Sequence, residues 1–194
     1  TECAYSYALD YLRVSGKTAR PYILHRIDKE TSGVLVFAKN IKLHSMLKMH
    51  WNECVTLREY YAVVEGVMEE KEGTIVSYLK ENKNNLMYST QDITGQKAIT
   101  KYSVLKENEQ YSLLKVQIET GKKNQIRVHM QHIGHPLFND ERYGGDRILK
   151  GTTFSKYKQF VENCFQLMVE GLKKLRESIL HKSVMLISRQ ATNY

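Results

Sequence analysis

No run of apolar residues in the chain approaches the roughly 20 that a membrane-spanning helix needs, although 42% of its 194 residues are hydrophobic. Its opening stretch, Thr1-Glu2-Cys3-Ala4-Tyr5, has no basic segment followed by an apolar core, so no export signal is visible. Cysteine is scarce and poorly placed for pairing: Cys3, Cys54 and Cys164 are odd in number, far apart and without a Cys-x-x-Cys spacing. This argues against a disulfide framework and a cysteine zinc site, and points to reduced thiols in a cytoplasmic protein. No internal repeat or low-complexity segment stands out. With 26% charged residues the composition is that of an ordinary globular protein, which argues against global disorder.

What the chain has in excess is positive charge and tyrosine. Twenty-nine Lys and Arg against 21 Asp and Glu give +8, with a sequence pI near 9.3, which suggests a polyanionic partner. Thirteen tyrosines interleaved with cations suit stacking on unpaired bases; packing in strands and cores uses the same residues.

The length suits one domain across residues 1–194. Tyr5, Ala8, Leu9 and Leu12 fall at helical spacing, and Arg20-Pro21 then forces an extended approach. His25-Arg26-Ile27-Asp28-Lys29-Glu30-Thr31-Ser32-Gly33 is a polar turn feeding the apolar run Val34 to Ala38, a loop leading into a buried strand. Asn40 is a good N-cap for a helix reaching about Trp51, with Leu43, Leu47 and Trp51 on one face. Strands follow over Arg58 to Glu65, Thr74 to Leu79, Ala98 to Leu105 and Ser112 to Ile118, with Lys80 to Asn85 an exposed loop. The product is an α+β fold with a large, mostly antiparallel sheet. Around Thr120 the period changes: Ile126, Met130 and Ile133 recur as on a helix, which Gly134-His135-Pro136 stops. Gly121 with Lys122 and Lys123 at that helix start is a candidate phosphate-binding corner. From about Ser155 a helical stripe of Phe160, Cys164, Met168, Leu172, Leu175 and Ile179 extends a helical segment over 155–194.

Asp28, Tyr60 and Arg127 are the residues to weigh for chemistry. Singly, Asp28 serves equally as a turn or cap acceptor, Tyr60 as a strand aromatic and Arg127 as a surface cation. His129, His132 and His135 repeat every third residue, but zinc helices more often space ligands by four and no cysteine lies nearby, so no metal site is expected.

The motifs decide more than the spacing. His25-Arg26-Ile27-Asp28 with Thr31-Ser32-Gly33 and Ala38-Lys39 resembles the signature of RluA-like pseudouridine synthases. Arg58-Glu59-Tyr60-Tyr61-Ala62-Val63-Val64-Glu65-Gly66 resembles that family's tyrosine segment. Thr120-Gly121 with Asn124-Gln125-Ile126-Arg127-Val128-His129, then Gly134-His135-Pro136 and Tyr143-Gly144-Gly145, continues the resemblance in order across roughly Pro21 to Gly145.

The resemblance implies the family's catalytic fold, a mixed and largely antiparallel sheet flanked by helices around a central RNA-binding cleft. It implies isomerisation of uridine to pseudouridine in structured RNA, large-subunit ribosomal RNA or transfer RNA, by a monomer using no metal or organic cofactor. Asp28 is then the catalytic carboxylate, adding covalently or taking a ribose proton, and in either case stabilising positive character at the anomeric carbon. Arg127 would pair with Asp28 and favour its charged form, and Tyr60 would stack on the target uracil and assist proton removal from carbon 5. Arg26, Thr31, Gln125 and His129 are expected to bind substrate, with Ile126 and Val128 in an apolar wall of the base pocket. Lys80, Lys83, Lys97, Lys122 and Lys123 are candidate RNA-backbone contacts. Lys122 stands where the family pattern often has arginine, which replaces a two-pronged phosphate grip by a point charge. The family's usual opening strands and an S4-type RNA-binding domain have no counterpart in the sequence given, so the expectation is either a fragment or a sheet edge covered differently. Two other classes compete: an RNA-binding module of the same fold without turnover, and a carboxylate glycosidase, for which no motif supplies the second carboxylate.

Overall fold

Tyr5, Ala8 and Leu12 do lie on one side of a helix. In the computed structural model α1 runs Ala4–Ser15, with Ala8 and Leu12 buried and the Tyr5 ring edge-on to Phe37. The structure describes residues 3–15, 19–29, 31–145 and the backbone of 184–188. They fall into two compact units, one built from the chain up to Thr56 with the strand at 184–188, the other beginning at Leu57.

In the first unit Pro21 is buried and leads into the short strand β1, Tyr22–Ile23, which pairs antiparallel with β2, Val34–Ala38. Phe37 and Ala38 close its core. Asn40 caps α2, Ile41–Met49, its side chain accepting from the Leu43 N–H at 2.8 Å. The expected single helix to Trp51 is interrupted at His50, whose φ of −107° and ψ of 25° leave the helical region, and α3, Trp51–Cys54, follows. The extension of helix over 155–194 is corrected at one end: Val184–Ser188 is a strand, β8, antiparallel to β2. A short apolar run carrying Val and Ile reads alike as helix or strand until a partner is available. The rest of that segment lies outside the described residues.

The second unit is a five-stranded antiparallel sheet, with β3 Glu59–Glu65, β4 Glu72–Glu81, β5 Met87–Thr90, β6 Gln96–Glu107 and β7 Tyr111–Ile118 in the order β3-β7-β6-β4-β5. Alternation dictates which face is buried: along β4, Ile75, Ser77 and Leu79 point inward while Thr74 and Val76 are exposed. The stretch Lys80 to Asn85, expected as loop, is partly strand. Pairing of β4 continues through Glu81, and only Asn82 to Asn85 turn, with the Asn82 carboxamide accepting from the Asn84 and Leu86 N–H groups and Asn85 at φ 56°. Beyond the outer edge of β3, Pro136 to Phe138 add two hydrogen bonds, Glu65 N–H to Pro136 O and Phe138 N–H to Val63 O.

Across the sheet lies α4, Gln125–His132, ending before Gly134 at φ +85°. It joins two apolar clusters. Met130 packs with Ala62, Val64, Met68, Ile75, Leu114 and Val116, while Val128 packs with Leu79, Met87, Ala98 and Tyr143. Among the described residues no helix is long and apolar enough to cross a membrane.

Loss of the Asn40 cap in Asn40→Ala should destabilise the protein by about 1 kcal/mol, because the Leu43 N–H then has no side-chain acceptor. Chemical denaturation measures it; an unchanged midpoint contradicts this role.

Candidate active site

In the first unit Arg26, Asp28 and Thr31 share one loop. Its turn is closed by the Thr31 N–H donating to Asp28 O at 3.0 Å, which leaves the Asp28 and Arg26 side chains exposed. His25 anchors the loop. Its Nε2 accepts the Val36 N–H of β2 at 3.1 Å, and its ring lies against Trp51, with centroids 5.4 Å apart. An accepting Nε2 requires a neutral ring, consistent with burial pushing the His25 pKa below its usual range.

In the second unit Tyr60 sits on β3 opposite Val116, and it packs with Ile126 on the same apolar cluster. Arg127 projects from α4 and is gripped by a carboxylate the sequence had not singled out. Its Nε and Nη2 donate to the two oxygens of Asp140, each at 2.7 Å, and its guanidinium carbon lies 4.6 Å from the Tyr143 ring centroid. A weaker contact joins Nη1 to Asn124 Oδ1 at 3.4 Å. Asp140 and Tyr143 are the residues that sequence reasoning missed. Tyr143-Gly144-Gly145 stood within the matched motif, but only the fold shows that the carboxylate three positions earlier faces α4.

Gln125, His129 and Val128 sit deeper than expected of substrate contacts. All four hydrogen-bonding positions of the Gln125 amide are filled from within the protein. Its nitrogen donates to Ile99 O at 3.0 Å and Thr100 Oγ1 at 2.9 Å, while its oxygen accepts from Thr120 Oγ1 at 2.9 Å and the Lys122 N–H at 3.0 Å. His129 is enclosed, with Nδ1 at 2.8 Å from Thr100 Oγ1 and Nε2 at 3.1 Å from Ser77 Oγ, which accepts in turn from Ser89. Val128 belongs to the core. The polar atoms of Gln125 and His129 are thus bonded within the protein, and all three side chains help seat α4 on the sheet. Ile126 is half-buried.

Of the five candidate backbone lysines, Lys80 and Lys123 are balanced by ion pairs with Asp92 and Glu81. The Lys80 contact holds the Asp92 carboxyl at about 2. Lys83 and Lys97 are exposed and Lys122 half-buried. Among the described residues no group of three His, Cys, Asp or Glu is placed to hold a metal ion.

Burial pushes His129 down to about 4, with His132 nearby acting in the same direction. In the unfolded chain the imidazole is protonated near pH 6.5, so the unfolded state binds more protons between those values. Stability is therefore full above about pH 6.5 and falls as pH drops toward 4, by on the order of 3 kcal/mol from this group, with His25 acting in the same sense. The melting temperature should decline from pH 7 to pH 4, and less steeply in His129→Gln; a flat wild-type profile contradicts the assignment.

Comparison with known proteins matches residues 4–132 to the family described as RNA pseudouridylate synthase. A Bacillus subtilis protein named uncharacterized RNA pseudouridine synthase YlyB is 43% identical over 126 residues, covering 64% of this chain and 41% of its own length. The Borreliella burgdorferi ribosomal large subunit pseudouridine synthase D is 40% identical over 126 residues, covering 64% and 39%. The matched part of the chain thus spans less than half the length of these relatives. In fold, it resembles the solved structure of human RNA pseudouridylate synthase domain containing 4, with TM-score 0.67 at 22% identity over 81% of this chain and 67% of that one. With Asp28, Tyr60 and Arg127 all inside the matched residues, the chain belongs to the RNA pseudouridylate synthase family.

Proposed function

We propose that the chain isomerises uridine to pseudouridine in structured RNA, acting as one catalytic domain over residues 1–194 with Asp28 as the catalytic carboxylate. The observation that carries this reading is the family match over residues 4–132, which contains the Asp28 loop intact. Relatives named ribosomal large subunit pseudouridine synthase D, from Borreliella burgdorferi and Haemophilus influenzae, favour large-subunit ribosomal RNA over transfer RNA as the substrate.

In the proposed reaction the bond between C1′ and uracil N1 breaks, the detached base turns, and a bond between C1′ and C5 replaces it. The C5 proton leaves and N1 gains one, so atoms and electrons balance without an external oxidant or reductant. Accordingly the chain is proposed to need neither metal nor organic cofactor, and to work as a cytoplasmic monomer. Asp28, on an exposed turn fixed by its own backbone, stabilises the cationic anomeric carbon. Arg127 serves as its counter-ion, and Tyr60 offers a ring to a base that must be unpaired or flipped to be reached. Arg26, Thr31 and Ile126 are proposed substrate contacts. Exposed Lys83 and Lys97, with Lys122, are proposed to meet phosphates.

Release of tritium from RNA labelled at uracil C5 tests the proposal, since that hydrogen is lost in the reaction. Wild-type protein should release it, and chelating agents should not slow it. Asp28→Asn should lower the rate by roughly 100-fold or more while RNA binding persists; retained release sinks the assignment. Protein that binds RNA yet releases nothing is instead a binding module. For Arg127→Ala the expected outcome is loss of turnover, and an unchanged rate removes Arg127 from the site.

A further inference from the structure

We propose that Asp140 is the positioning residue for Arg127, fixing which edge of the guanidinium is presented to the reaction. The inference rests on the role proposed above for Arg127.

A guanidinium has two edges that can grip a carboxylate in parallel, a side edge formed by Nε and one terminal nitrogen, and an end formed by the two terminal nitrogens. Asp140 takes the side edge with both oxygens at 2.7 Å. The end formed by Nη1 and Nη2 is the other edge suited to a carboxylate or a phosphate, and Nη1 there also meets Asn124 Oδ1 at 3.4 Å. Tyr143 fixes the plane, with its ring 4.6 Å beneath the guanidinium carbon. The Tyr143 hydroxyl is itself held, accepting from Asn124 Nδ2 at 2.9 Å and from the Met87 N–H at 3.3 Å. The ring is fully buried, and a planar, delocalised cation stacked on it has little freedom to rotate.

Asp140 is in turn held by backbone. Its N–H donates to Leu137 O at 3.1 Å, and its own carbonyl accepts from the Tyr143 and Gly145 N–H groups, each at 2.9 Å. The chain passes so close here that a Cβ on Gly145 would lie 2.2 Å from Leu137 O and 2.6 Å from Asp140 N. The carboxylate side chain is only 10% exposed and its arginine partner 22%. A surface salt bridge contributes little, but a bidentate pair this enclosed restricts geometry strongly.

The test is a double-mutant cycle on the full chain with C5-tritiated RNA. Asp140→Asn keeps the shape but places an N–H against one of the guanidinium donors. It should lower kcat by roughly 10- to 100-fold, the size expected for losing a charge-assisted pair, while KM for RNA stays within about 2-fold. In an Arg127→Lys background, where no fork remains to be oriented, the same substitution should change kcat less than about 3-fold. Equal effects in both backgrounds, or wild-type kcat in Asp140→Asn, overturn the proposal. If Asp140→Asn does not fold, Asp140→Glu supplies the second reading: reduced kcat with unchanged KM supports positioning, and full kcat overturns it. The Nε–H resonance of Arg127 is followed in parallel by nitrogen NMR. Slow exchange in wild type that becomes fast in Asp140→Asn supports the clamp, and equal exchange overturns it, even for protein that turns over no RNA. A wild type that releases no tritium with the clamp intact defeats the proposed function alone.

Discussion

Two hydrogen bonds from the Gln125 amide nitrogen to Ile99 and Thr100, and two into its oxygen from Thr120 and Lys122, fasten α4 to β6 and to the loop before it. Removing that amide would leave several buried groups unpaired at once, and an orphaned buried donor or acceptor is penalised more heavily than a made bond is rewarded. His129, one turn further along, repeats the attachment to Thr100 and adds one to Ser77 on β4. Helix α4 is thus tied to the sheet by directional bonds as well as by Val128 and Met130. Apolar packing alone permits small slides and rotations that a hydrogen-bond network does not. Arg127 lies between these two fixed points in sequence, so its Cα is located by them.

A second layer of constraint begins where the first ends. The network fixes the backbone beneath Arg127 but not the long side chain, which is located by Asp140 at one edge and Tyr143 on one face. Both come from the segment after Gly134, and the neighbouring Pro136 to Phe138 is hydrogen-bonded beside β3. Sheet, helix and following loop therefore converge on one cation. The Asp28 loop obeys the same logic in its own unit. A ring nitrogen of His25 accepts a strand amide, and the loop's own backbone closes the turn.

Much of this was legible in the sequence for physical reasons. The strands over β3, β6 and β7, the Asn40 cap and the helical stripe of Ile126, Met130 and Ile133 rest on local signals. The three family motifs marked the residues to watch. What escaped was whatever depends on a partner distant in the chain. Met87 to Thr90 is too short and polar to announce itself and becomes a strand only because β4 lies beside it. The strand at 184–188 is defined by β2, some 150 residues earlier. Gln125 and His129 stood among the substrate contacts that the family resemblance implies. That they are enclosed follows from Thr100 and Ser77, whose inward direction depends on the register of β4 and β6. Asp140 escaped for the same reason, since nothing local distinguishes it from any other loop carboxylate.

The manner in which Gln125 holds the loop before α4 has a bearing on how such a protein can diversify. Asn124 enters the helix in the left-handed region at φ 54° with no side-chain cap, and the Gln125 amide serves instead, binding the backbone of residue 122 and the hydroxyl of Thr120. At residue 122 the bond runs through the backbone N–H and not through the lysine side chain, while Lys123 reaches from the same loop to Glu81. The side chain at 122 can therefore change over generations while that backbone bond, and the helix start that carries Arg127, stays in place.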